Sequence, residues 1–208
     1  MRRKIIILVI LLLPLTFMAN AQSIHHAGLF YDMFSFAWDV NVPVNNTFVS
    51  QTSYDGFKME GRRMIKDNSS IGLELSWNGY YQYRPRKTYE LQNGAVTTDF
   101  YSYIYTLPMA VNVHHYFHAG KVVTPYVGLA LGATYSEQRL YYNTYVSYAD
   151  NWGFLVKPEL GAILKFNEHS GFGLLIGADY SYSTNSEDAF SISSLQSFGL
   201  QLGLVFMK

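Results

Sequence analysis

Between Ser197 and Lys208 the residues alternate between two kinds. Phe198, Leu200, Leu202, Leu204 and Phe206 share one parity, and Ser197, Gly199, Gln201 and Gly203 share the other, together with Val205. Successive side chains point to opposite faces of a strand, so this segment predicts a strand with one apolar and one small, polar face. The same alternation recurs along most of the chain.

Seven further strands follow from it. The first spans about residues 29–42, with Phe34, Phe36, Trp38 and Val40 opposite Ser35, Ala37, Asp39 and Asn41; Asp32 breaks the phase, which predicts a bulge or a late start. The second, about 54–65, is the least regular, with Phe57, Met59 and Ile65 outward and Lys58, Glu60 and Arg62 on the other face; Arg63 sits near an end, where it can snorkel. The third covers about 71–83 and the fourth about 98–117, where Pro108 removes a ladder donor and predicts a bulge or bend. The fifth spans about 123–135 and the sixth about 151–166, the latter with Trp152, Phe154, Val156 and Leu160 against Lys157, Glu159 and Lys165. The seventh sets Phe172, Leu174, Ile176 and Tyr180 against Gly173, Gly177, Asp179 and Ser181.

Short turns at 66–70, 118–121 and 167–170 alternate with long polar segments at 43–52, 84–96, 136–150 and 183–194. Alternating short and long connections between an even number of strands predict an all-β fold, an eight-stranded antiparallel up-and-down transmembrane β-barrel. A bilayer admits only helices or closed barrels, because every backbone donor and acceptor needs an internal partner. Trp38, Trp77, Tyr81, Tyr83, Tyr101, Tyr103, Trp152, Tyr180 and Tyr182 gather at the long-loop end, and Phe117, Phe166 and Phe206 at the other. Two aromatic girdles are expected where rings meet lipid head groups. The rival fold, a soluble ligand-binding barrel, places large apolar residues inside; here glycine, serine and charges occupy that face.

The amino terminus sets the compartment. Arg2, Arg3 and Lys4, the apolar run from Ile5 to Phe17, and Ala19-Asn20-Ala21 match the three parts of a secretory signal peptide, residues 1–21. The run is short for a spanning helix, which needs ~20 apolar residues. The barrel domain is then 22–208. Lys and Arg total 15 and Asp and Glu total 15; without the three leader cations the balance is 12 against 15, a formal charge of −3. No basic patch calls for a nucleic-acid partner. Charged residues make up 14% of the chain and aromatics 17%, against ~25% charged residues in an ordinary soluble domain. The sequence has no cysteine, so no thiolate site and no disulfide framework is available.

Several runs resemble the small bacterial outer-membrane β-barrel family, the OmpX/OmpA-like and opacity-like barrels, and the Bacteroidetes "outer membrane beta-barrel" or PorT-like proteins. They are Thr124 to Gly132, Leu107-Pro108 leading to His115-Tyr116-Phe117, Lys157-Pro158-Glu159-Leu160-Gly161, and Gly177-Ala178-Asp179-Tyr180. The resemblance covers about 22–208 and speaks to fold and location more than activity. It implies insertion by the barrel-insertion machinery through the C-terminal strand. Family members usually finish on an aromatic residue; here Met207 and Lys208 follow Phe206.

Candidate chemistry begins with a lumenal charge network, Lys58, Glu60, Arg62, Glu74, Lys157, Glu159 and Asp179, in which Lys157 and Glu159 are expected to meet opposite charges on adjoining strands. Unpaired charges in so narrow a space are costly. All six histidines, His25, His26, His114, His115, His118 and His169, fall toward the periplasmic end without metal-ligand spacing. No metal, cofactor or catalytic residue is assigned: an enzyme site needs a base beside its nucleophile, and the extracellular half offers no histidine. Arg84, Arg86 and Lys87 form a small basic group near the membrane surface, suited to lipopolysaccharide phosphates, and Tyr141, Tyr142 and Tyr145 make the third long loop suited to recognition. The expectation is a monomer in the outer membrane of a Gram-negative cell, bathed in lipid and lipopolysaccharide, with a structural or surface-interaction role. A narrow channel is the alternative, and a lipid-modifying enzyme a third class. No extracellular partner is named by the sequence.

Overall fold

The computed structural model describes residues 32–91 and 94–208. The leader, His25, His26 and the first residues of the first predicted strand lie outside them. Eight strands form a closed barrel in sequence order: β1 Asp32–Val44, β2 Ser53–Lys66, β3 Ser69–Leu91, β4 Gly94–Tyr116, β5 Val123–Tyr142, β6 Tyr145–Lys165, β7 Phe172–Ser183 and β8 Leu195–Met207. Every neighbouring pair is antiparallel, and β1 closes on β8 from Met33↔Met207 to Val44↔Gln196. Closure leaves no edge strand, which is what hydrocarbon demands of a sheet.

The alternation sorts the two faces. Leu73, Leu160 and Leu200 are 63%, 61% and 64% exposed on the outside, while their in-strand neighbours Glu74, Glu159 and Gln201 are buried. An apolar outer band of this kind is stable against lipid and not against water.

Three features differ from the sequence reading. The segments 84–96 and 136–150 are not loops: β3–β4 and β5–β6 continue as hairpin ribbons past the barrel, and β5 and β6 meet at Tyr142↔Tyr145 around a two-residue turn. Asn143 takes a left-handed φ of 52° in that turn, a conformation asparagine tolerates better than most residues. Pro108 makes no bulge. The β3–β4 ladder lapses beside it between Leu75↔Met109 and Asn78↔Thr106 with the register kept, and Pro108↔Thr134 is paired without a break on the β5 side. The bulge in β1's pairing with β2 lies between Asp39 and Asn41, away from Asp32; Asp32 accepts from Arg63 Nε at 2.8 Å at the barrel's rim.

The lumen is layered. At the short-turn end Met33, Tyr116, Tyr126, Ile163, Leu175, Val205 and Met207 pack together. Charged side chains fill the middle. At the long-connection end Phe48, Val49, Tyr80, Ile104 and Ile192 form a second apolar cluster. The sequence reading left both apolar caps unassigned.

The upper cap is built by two connections that fold inward. In the β1–β2 connection Asn46 Oδ1 accepts from the backbone N–H of Phe48 at 2.9 Å and of Val49 at 3.1 Å, a local turn that aims Phe48 and Val49 into the mouth. Val49 is fully buried there. The β7–β8 connection carries a 3₁₀ turn at Asp188–Phe190, and the Phe190 ring lies 4.7 Å from that of Phe48.

Candidate functional site

Two regions carry the chemistry-bearing residues. The first is the middle of the lumen. Lys58 on β2 crosses the barrel to donate to Glu159 Oε1 on β6 at 2.6 Å, and its ammonium is also 3.3 Å from Glu74 Oε2 and 3.6 Å from Glu60 Oε1. Lys157 on β6 crosses in the other direction to Glu74 Oε1 on β3 at 2.5 Å, with Glu159 Oε1 at 3.2 Å. Arg62 pairs with Glu60 two residues away on its own strand and donates to the Tyr116 hydroxyl at 3.1 Å. The cross-lumen partners of Lys157 and Glu159, Glu74 on β3 and Lys58 on β2, therefore stand on the opposite wall, where adjoining strands were expected. Strand neighbours follow from chain order, whereas contacts across the lumen depend on tilt and stagger once the sheet closes.

Three bases face three carboxylates in this network, all buried. Taking them out of water is costly, and one-to-one pairing with further hydrogen bonds offsets that cost. Asn112 donates to Glu60, and to Glu74 Oε2 at 3.1 Å. Ser35 Oγ donates to Glu60 Oε2 at 3.3 Å.

His114, named from the sequence only among the histidines and left out of the charge network, joins it here. Its Nε2 lies 2.7 Å from Arg62 Nη2 and 3.0 Å from Glu159 Oε2. Its ring stacks on Tyr126 at 4.5 Å. Gly128 makes room for it: a Cβ there would stand 2.4 Å from the His114 ring. Ligand atoms of Glu60, His114 and Glu159 come within 4.8 Å of one another. The Arg62 guanidinium and the Lys58 ammonium already supply positive charge at that point, so a metal there would have to displace both cations.

Asp179 stands apart from the network. Its Oδ1 accepts from Gln201 Nε2 at 2.6 Å. With Asp39, Asn41, Asn78, Thr134 and Ser197 it lines a cavity of about 40 Å³ between the charged layer and the upper apolar cap.

The second region is the ribbon pair that continues β3–β4 and β5–β6 beyond the barrel. Arg84 turns inward, donating through Nη2 to the carbonyls of Thr47 and Phe48, so it secures the upper cap. Arg86 and Lys87 remain exposed. A run of rings leads from the barrel wall onto the ribbons: Phe57–Trp77 at 6.3 Å, Trp77–Tyr105 at 6.1 Å and Tyr105–Tyr103 at 6.1 Å are stacked, and Tyr103 meets Tyr141 edge to face at 5.6 Å. Tyr83 meets Tyr101 at 4.7 Å, and Tyr142 meets Tyr145 at 5.7 Å. Tyr145 is 64% exposed at the tip. Arg139 pairs with Glu137 and lies 5.6 Å over the Tyr105 ring.

Eight up-and-down strands, an apolar outer band and a filled polar lumen define a small transmembrane β-barrel. Solved structures share this fold. The attachment invasion locus protein Ail of Yersinia pestis, determined in complex with the heparin analogue sucrose octasulfate, is 12% identical, with 86% of this chain and 99% of that one covered and a TM-score of 0.50. Neisserial surface protein A is 16% identical, with coverage of 88% and 98% and a TM-score of 0.50. No protein-family model matches the sequence, and no curated protein matches it.

Proposed function

We propose that the protein is a monomeric outer-membrane barrel of a Gram-negative cell with a non-catalytic, surface-interaction role. It is exported through a cleaved leader at residues 1–21 and inserted by way of its C-terminal strand. The observation that carries this reading is the ribbon pair. β5 continues from Tyr135 to Tyr142, about 23 Å of strand at ~3.3 Å per residue, and presents stacked tyrosines on a hydrogen-bonded ladder. Rigid aromatic side chains offer contact area at low entropic cost, which favours recognition of another surface. Arg86 and Lys87 beside them suit anionic groups, of which lipopolysaccharide phosphates are the nearest source.

A narrow channel is the alternative reading. A charge network crossed from wall to wall and capped by apolar clusters at both ends counts against it. Single-channel recordings free of current steps are the expected result, and reproducible steps would favour the channel.

The ribbon is tested by replacing Tyr141, Tyr142 and Tyr145 with alanine, or by removing 136–149, in cells that display the protein. Adhesion to host or neighbouring cells should fall while the heat-modifiable barrel band persists. Adhesion unchanged by both alterations would refute the reading.

A further inference from the structure

The three bases Lys58, Arg62 and Lys157 are matched by Glu60, Glu74 and Glu159. The other buried lysine, Lys165, donates to the carbonyls of Gly120 and Glu168 at the periplasmic turns. That leaves Asp39 and Asp179, 3% and 7% exposed, as carboxylates in excess at the extracellular side of the network. Among the described residues neither forms an ion pair. Asp39 Oδ1 is buried without a hydrogen-bond partner, and so is Thr134 Oγ1; both residues line the cavity of about 40 Å³.

We propose that this cavity is a binding site for a hard divalent cation of the calcium class, held by the carboxylates of Asp39 and Asp179 with side-chain oxygens of Asn78 and Thr134. Two ionised carboxylates in excess in a closed lumen are costly unless a cation joins them, and a divalent ion supplies the matching charge. The donors are carboxylate, amide and hydroxyl oxygens without sulfur or imidazole, the set that selects calcium over zinc or copper. The cavity leaves space for the ion and for waters that complete its shell.

Register shapes the site. Asp179 and Asn41 both pair with Gly199, from either side. A Cβ at Gly199 would stand 2.5 Å from Asp179 Oδ1 and 3.1 Å from Asn41 Oδ1, so the glycine lets these oxygens converge. Lys157 also lines the cavity. Its ammonium is held by Glu74 and Glu159 on the network side, which leaves Asp39 Oδ1 and the Asp179 oxygen not bonded to Gln201 to the ion.

The full barrel, refolded in a neutral maltoside detergent with calcium chloride or with EDTA, tests this. Calcium retained after gel filtration, at about one ion per barrel, and an unfolding temperature raised by calcium are expected, because a ligand that binds only the folded state stabilises it. The Asp39→Asn/Asp179→Asn variant should fold, retain no calcium, and unfold at the same temperature in calcium and EDTA. The exposed-site variant Asp67→Asn should behave as the native protein. If the double variant does not fold, Asp39→Asn and Thr134→Val serve singly, each with reduced retention. A native barrel that retains no calcium, retention of zinc in preference to calcium, or variants that retain as much as the native protein would overturn the proposal.

Discussion

The Lys58–Glu159 pair in the lumen and the Arg139–Glu137 pair on the β5–β6 ribbon join the same kinds of groups in opposite settings. Side-chain exposure is 3% and 2% in the first, and 40% and 18% in the second. In the lumen each charge has lost its water and depends on its partner. On the ribbon water competes for both groups, and either can do without the other. The difference teaches that a charge network inside a narrow barrel is an architectural element, to be judged by what its loss would leave behind. Charges on the ribbon carry no such structural burden.

The sharpest way to break that comparison is to remove one lumenal partner. Glu159→Ala leaves the Lys58 ammonium without its closest carboxylate and weakens the setting of Lys157 and His114. A loss of ~3–5 kcal/mol is expected, as for other buried pairs cut on one side. Urea unfolding in lipid vesicles, followed by gel mobility, measures it. A loss below ~1 kcal/mol would place the pair with surface pairs and remove the distinction.

A smaller effect sharpens the packing side. Gly128→Ala sets a methyl 2.4 Å from the His114 ring, a position the ring cannot share. His114 must leave Tyr126 or turn from Glu159, at an expected cost of ~1–3 kcal/mol, read in the same unfolding assay. Arg84→Ala is next. It removes the guanidinium that caps the Thr47 and Phe48 carbonyls, so the inward-folded connection loosens. A cost of ~1–3 kcal/mol, with faster proteolysis confined to residues 43–52, is the expected outcome. Cleavage no faster than in the native barrel would mean that Phe48 and Val49 hold the cap unaided.

The strands were legible because hydrophobic parity is a local signal. Phe198 to Phe206 outward and Ser197 to Gln201 inward can be read from β8 alone, and the structure keeps that assignment. The ribbons were not legible for a related reason. Above the membrane the outward face turns polar, so Glu137 and Arg139 end the apolar alternation while the backbone ladder continues. A pattern set by lipid stops where lipid stops, although the strand does not. Pairings across the lumen were hidden because Lys58 and Glu159 are brought together by barrel closure, not by proximity in the chain or along one strand pair. The apolar cap around Met33 and Met207 escaped because Leu175 and Ile163 lie in stretches apolar on both parities, where alternation carries no orientation.

The smallest expected effect completes the comparison from the other side. Arg139→Ala removes the ion pair with Glu137 and the cation that lies 5.6 Å over the Tyr105 ring. An exposed pair of this kind contributes ~0.2–1 kcal/mol, and a cation over an exposed ring ~0.5–1 kcal/mol. The backbone ladder from Tyr103↔Arg139 to Tyr101↔Tyr141 does not depend on the side chain. Folding yield should therefore stay unchanged, and the stability difference from the native barrel should shrink as salt screens the pair. The lumenal Glu159→Ala deficit should persist at the same ionic strength, because salt does not reach between Lys58 and its carboxylates. Equal salt sensitivity of the two deficits would show that water and ions enter the lumen, and the charge network would then have to be treated as a wet surface.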